Sequence, residues 1–305
     1  MANDYQAADR PTRASSRMAM VRARLNLPTI RRASGLFEGN HSSIFVGHGH
    51  DFEDLIEYNY GDDVSDIDWK SSARGGKPII RRFERESDVF TQLVVDTGME
   101  MRGSTPSGES KADVAVLVAD VLGYLAAHRG DRLGLVFGDS TKITRHAARH
   151  GNEHLEFILN TMDAQMAASK GTSTVSKLLE HLLRTYLPRA LLIVITDEYW
   201  PGAGDEQTLR RLRTRHELLV VQVADMPITQ PGIDRMVDVD GTALPRYIRE
   251  DKRLAQEIAN ERETSREAAK NWLRSNGVMH ARVTSSDDVV PVLFDLLRRQ
   301  HRARR

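Results

Sequence analysis

The stretch Ala190-Leu-Leu-Ile-Val-Ile-Thr-Asp197 decides the fold. Its apolar part, Ala190 to Ile195, is the most apolar run of the chain, yet far short of the ~20 residues that a membrane-spanning helix needs. A short apolar run that stops on an acid reads as a buried strand that delivers a carboxylate to its own end. The same shape recurs on both sides. Val89 to Val95 is a β-rich run ending in Asp96, and Leu218 to Val223 is followed closely by Asp225. Leu133 to Phe137 and Val278 to Thr284 read as further strands, and Lys142 to His146 as an edge partner.

Helix-like segments fill the intervals. Lys111 to His128 is apolar almost all round, which places it centrally. His150 to Met162, Thr174 to Tyr186 and Asp205 to Arg215 follow. A long charged segment, Arg246 to Ser275, lacks Pro and Gly and reads as one helix. Asp287 is expected to cap a last helix whose apolar face includes Val290, Leu293, Phe294 and Leu297. This alternation predicts an α/β fold, a doubly wound, mostly parallel, Rossmann-like sheet with helices on both faces. In such a sheet a ligand is met beyond the carboxyl ends of the strands. Asp96, Asp197 and the loop at Gly171-Thr172 are expected to gather there.

The 305 residues, 40% hydrophobic, suffice for at least one full core. Lys plus Arg number 43 and Asp plus Glu number 43, so no global field draws the chain onto nucleic acid or an acidic membrane. With no cysteine, a disulfide framework, a Cys-ligated metal and a thiol nucleophile are all excluded, and a cytoplasmic setting is expected. The organisation expected is an Arg-rich arm over residues 1–35, a β-containing segment over 36–87, the α/β domain over 88–300 and a basic tail over 301–305.

The densest cluster of polar residues runs from Tyr60 to Arg74: Tyr-Gly-Asp-Asp-Val-Ser-Asp-Ile-Asp-Trp-Lys-Ser-Ser-Ala-Arg. Asp62, Asp63, Asp66 and Asp68, followed by Lys70 and Arg74, can hold a divalent cation or form a compact ion-pair network. Asp68-Trp69-Lys70 also matches the acid-x-Lys element of a metal-dependent nuclease, which makes a phosphodiesterase using Asp66, Asp68 and Lys70 the alternative enzymatic reading. The structural reading has Asp62 and Asp66 capping turns and Ile67 and Trp69 plugging a core. Elsewhere, Gly103 to Ser110 has the glycine spacing of a phosphate loop, but Glu109 stands where that loop requires a lysine, so no nucleotide is expected. His146, His150 and His154 recur at helical spacing without a carboxylate-supported zinc motif.

The ordered string of Val46-Gly47-His48-Gly49, Phe52, Tyr60-x-x-Asp63, Ile67-Asp68-Trp69, Ser72-Ala73-Arg74 and Ile80 to Glu84 resembles the signature of the bacterial domain-of-unknown-function family 58. Tyr60, Gly61, Asp62, Asp63, Asp66, Asp68, Trp69, Lys70, Ser72 and Arg74 carry that resemblance, which extends over roughly residues 36–300. It implies a von Willebrand factor A-like domain. It also implies a metal-ion-dependent adhesion site: an Asp-x-Ser-x-Ser turn, a loop Thr and a later Asp around Mg²⁺. Here the turn is Asp96-Thr97-Gly98-Met99-Glu100, so Gly98 and Glu100 replace two serines. Asp96, Glu100, Thr172 and Asp197 are the candidate metal ligands. The function implied is a non-catalytic protein-interaction module, an adaptor or chaperone-like partner of a MoxR-type AAA+ ATPase or of a client complex.

Overall fold

The structure, a computed structural model, describes residues 51–58, 67–84, 90–202, 204–227 and 251–303. The arm 1–35, the Gly-rich lead-in at 46–49, the signature residues Tyr60, Gly61, Asp62, Asp63 and Asp66, and the last two residues lie outside them.

The family-signature segment contributes an antiparallel pair, β1 (Asp51–Glu57) and β2 (Ile79–Glu84), with a short helix α1 (Trp69–Gly75) between them. Asp68 caps α1: its Oδ1 accepts from the backbone N–H of Lys70 (3.0 Å) and Ser71 (3.2 Å). Ser72 clamps the helix to β2, because its hydroxyl accepts from Ile79 N–H at 2.8 Å while Asp68 N–H donates to Ile79 O at 2.8 Å. Two signature residues thus hold backbone in place. The core-plugging expectation for Trp69 does not hold. At the first position of α1 its side chain is 70% exposed, and Ile67 is only half-buried. Capping fixes the helix start and so turns the next residue outward.

The second sheet contains β3 (Phe90–Asp96), β4 (Arg132–Gly138), β5 (Ile143–Arg149), β6 (Ala190–Asp197), β7 (Glu217–Val223) and β8 (Met279–Val283), in the order β5-β4-β3-β6-β7-β8. All neighbours are parallel except β4 and β5. Counted within this sheet the order is 3-2-1-4-5-6, the doubly wound arrangement, and the order reverses between β3 and β6. The expected edge strand at Lys142–His146 is β5, antiparallel, which starts one residue later and ends three later.

Period-two burial divides each central strand between two cores. Leu93, Val95, Leu135, Ile193, Ile195 and Val221 face the helices α2 (Lys111–His128), α3 (Asn152–Ala168) and α7 (Ser286–Ala303). Val94, Val136, Leu192, Val194 and Val220 face α4 (Val175–Arg184), α5 (Asp205–Arg213) and the end of α6 (Lys252–Ser275). The all-round apolarity of α2 is explained by its position between the sheet, α3 and α7. Each large apolar side chain so buried contributes roughly 1.5–3 kcal/mol.

Two helix starts differ from expectation. Asp251 caps α6, which therefore begins at Lys252. Ser285, not Asp287, caps α7: its hydroxyl accepts from Asp288 N–H at 3.3 Å, and Asp288 accepts in return from Ser285 N–H at 3.2 Å. No helix among the described residues is long and apolar enough to cross a membrane.

Candidate functional site

Because β3, β4, β6 and β7 run the same way, the acids that end or follow them arrive at one rim. Asp96 and Asp197 close adjacent strands, whose register pairs Val95 with Ile195, and are 0% and 3% exposed. Asp139 follows β4, and Asp225 lies just past β7.

Asp96 sits under a loop. Its Oδ1 accepts from Gly98 N–H at 3.0 Å, and its Oδ2 from the hydroxyls of Ser173 and, at 3.4 Å, Thr196. Glu100 does not reach Asp96 but accepts from Ser173 N–H at 2.6 Å. Thr172, the candidate loop ligand, is exposed, and its N–H donates to Ser140 Oγ. The inward hydroxyl of the loop is therefore Ser173. Three hydroxyl residues, Thr172, Ser173 and Thr174, stand in a row, and only the crossing angle of the loop selects among them.

The replacement of Ser by Gly98 has a steric cause. A Cβ at position 98 would lie 2.3 Å from Ser173 N and 2.5 Å from its Cα. The loop crosses directly over the turn, with Met99 N–H donating to Gly171 O at 2.8 Å. Glycine is what allows that approach.

Asp139 anchors the other side of this loop, and sequence reasoning missed it. Its Oδ1 accepts from Thr141 N–H (2.8 Å), Thr141 Oγ1 (2.5 Å) and Lys142 N–H (3.1 Å); its Oδ2 accepts from Ser169 Oγ and from Gly171 N–H (3.1 Å). Burial pushes this carboxyl up, but the Ser169 and Thr141 hydroxyls with the Thr141 and Lys142 amides outweigh it and hold the group well below the usual range. The available signal was Gly138-Asp139-Ser140-Thr141, one more strand that ends on an acid.

Lys111 is the second residue missed. It is the first residue of α2, is 0% exposed, and donates from Nζ to Asp225 Oδ1 at 2.6 Å. Ser110 caps α2, so a cation stands at the positive end of the helix dipole, where the sign is unfavourable. That misplaced charge at the head of an apolar helix was the sequence signal. Compensation comes from the acids of the rim. Burial raises the proton affinity of Asp96, Asp197 and Asp225, and Lys111 opposes it in all three; Asp197 is pushed up to about 6.

Among the described residues no three carboxylate or imidazole side chains converge to ligate one ion. Asp96, Glu100 and Asp197 each accept hydrogen bonds from nearby protein donors, Asp197 Oδ1 from Tyr199 N–H at 3.0 Å. Of the nuclease residues, Asp66 lies outside the described residues, Asp68 is the cap of α1 and Lys70 is exposed.

The remaining motifs have structural roles. Glu109 accepts from Ser286 N–H (2.8 Å) and Oγ (2.5 Å), joining the Gly103–Ser110 loop to the start of α7. The three histidines do not share a helix: His146 is on β5, His150 follows it and His154 is on α3. They line a cleft of about 410 Å³ with Arg149, Glu153 and the half-exposed Phe157. A second cavity, about 190 Å³, lies between Glu198, Asp225 and Arg282 on the rim side and Ile258, Arg262 and Arg266 of α6.

Uncharacterized proteins of Mycobacterium tuberculosis and Mycobacterium bovis are 29% identical to this chain over 210 residues. The match covers 68% of this chain and 66%, just under two thirds, of each relative. Among solved structures the chain is similar to a von Willebrand factor type A protein from Catenulispora acidiphila, with a TM-score of 0.39 and 10% identity over 73% of this chain and 43% of that one. It is also similar to the SpRpn10 VWA domain, with a TM-score of 0.31 and 11% identity over 45% of this chain and 76% of that one. The model of the family described as protein of unknown function DUF58 matches residues 54–268, well over half of the chain, and the chain therefore belongs to that family.

Proposed function

We propose that the protein is a non-catalytic interaction module of the cytoplasm that docks a partner protein on the carboxyl-end rim of its large sheet, as an adaptor or chaperone-like partner of a MoxR-type AAA+ ATPase. The observation that carries this reading is the bolted loop. Residues 169–173 are tied to Asp139, Glu100 and Asp96 by buried or half-buried hydrogen bonds, and to Met99 and the exposed Ser140 by further ones. The inner layer thereby fixes an outer one. Ser140 and Thr172 are exposed on it, and Tyr199 stands on the adjoining turn, 48% exposed, with the Arg262 guanidinium 5.8 Å from its ring centre. A preordered loop beside a half-exposed tyrosine is the kind of patch that binds without a large ordering cost. The partner class is supported by the family signature alone.

The test is affinity capture from native lysate with the full chain as bait, comparing wild type with Tyr199→Ala/Thr172→Trp. Recovery of a MoxR-type ATPase by wild type and its loss in the variant is the expected result. Equal recovery by both removes the rim as the docking face.

A further inference from the structure

We propose that Lys111 is the resident cation of this rim: its buried ammonium takes the electrostatic place that a divalent metal holds in an adhesion site of the resembled type, so this chain keeps the site assembled with no divalent ion. The inference deepens the docking reading, but only its last test depends on it.

Three observations carry it. Lys111 has no exposed surface, and its ammonium is bound to Asp225 at 2.6 Å. An unpaired lysine is not tolerated there, because a buried charge needs a partner that offsets its lost hydration. The position is also the wrong end of a helix for a cation, so α2 itself does not favour the charge. What favours it is the Asp225 carboxylate on the turn after β7, beside the acids that β3 and β6 deliver to the same rim. The direct contact is to Asp225, while Asp96 and Asp197 close the adjoining strands β3 and β6 at the same rim, where the lysine favours their charged forms, least for Asp96. Finally, the changes in the turn agree. Gly98 stands where the pattern has a hydroxyl, and the loop backbone occupies the space that hydroxyl would need. Glu100 turns to Ser173 N–H. A second cation brought to this rim would share it with a buried ammonium of the same sign.

The experiment titrates Mn²⁺ into the full chain and reads free ion by electron paramagnetic resonance, alongside thermal melts in EDTA and in Mg²⁺. Wild type is expected to bind no stoichiometric Mn²⁺ below about millimolar concentration and to melt at the same temperature in both buffers. Lys111→Met removes the cation and leaves the acids. It is expected to melt lower, to gain Mn²⁺ affinity by about tenfold or more, and to recover melting temperature in Mg²⁺. One tightly bound Mn²⁺ per wild-type chain, lost in Asp96→Asn, overturns the proposal. So does a folded Lys111→Met variant indifferent to both ions. If that variant does not fold, the wild-type titration decides alone. Finally, ATPase captured by wild type should survive EDTA. Capture that EDTA abolishes refutes the Lys111 assignment and leaves the docking face standing; capture that the rim variant retains does the reverse.

Discussion

Asp96 and Asp139 end or follow neighbouring parallel strands, and both are nearly sealed from solvent, 0% and 3% exposed. Their charges are held in opposite ways. Asp139 receives five hydrogen bonds, three of them from backbone amides, and stays ionised deep into acid. Asp96 receives one amide and two hydroxyls and lies near Asp197 and Glu100, so burial and its acidic neighbours raise its proton affinity. Burial alone therefore does not decide the state of a carboxylate; donor count and the sign of the surroundings do. One side of the rim is a structural bolt. The other is an acidic pocket that depends on Lys111.

The largest expected effect tests the bolt. Asp139→Ala orphans the amides of Thr141, Lys142 and Gly171 together and should cost about 3–5 kcal/mol in urea denaturation. The depressed folded value also gives a sign. The stability supplied by Asp139 is present in full above its unfolded value of 3.8 and is lost as pH falls through the lower folded value. An Asp139→Ala variant should accordingly lose the steepest part of the acid-denaturation curve. Unchanged acid sensitivity would erase the contrast between the two aspartates.

Gly98→Ser restores one serine of the adhesion turn and tests whether the loop tolerates it. The new Cβ collides with the Ser173 backbone, and a loss of about 2–3 kcal/mol is expected, with faster amide exchange at residues 171–173. A neutral substitution would show that the loop is free to lift.

Asp197→Asn sharpens the other side. With its folded value raised to about 6 from 3.8, the stability linked to the protonated group is complete below pH 3.8 and lost as pH rises through 6. At about 1.4 kcal/mol per tenfold change in proton affinity, the variant should exceed wild type by about 2–3 kcal/mol at pH 7.5 and match it near pH 4. Denaturation at the two pH values measures the difference. Smallest of all, Ser173→Ala should cost about 1–2 kcal/mol and Thr172→Ala less than about 0.5, since of these two side chains it is Ser173 that donates to Asp96.

Much of the fold was legible because its signals are local. Short continuous apolar runs marked β3, β6 and β7, the all-round apolarity of Lys111 to His128 marked a central helix, and acids at or just past strand ends marked the rim. The site was legible only in part. Asp96 and Asp197 were read from their strands. Thr172 stands as the loop residue that the resemblance implies, whereas Ser173 is the one whose hydroxyl meets Asp96; Trp69 is exposed where a core plug was expected, and Lys111 gave no signal beyond its place at the head of a helix. Each of these depends on which way a side chain points once distant segments meet.

The sequence by itself determined the doubly wound sheet, the common edge of its acids and the membership of residues 54–268 in a family. Only the tertiary structure decided that a loop some 75 residues downstream crosses Gly98 closely enough to exclude a Cβ, and that the Lys111 ammonium reaches an acid 114 positions away. The reason is physical. Periodicity and strand ends follow from backbone geometry within a few residues, whereas the partner of a buried charge is set by which chain segments the two cores bring together.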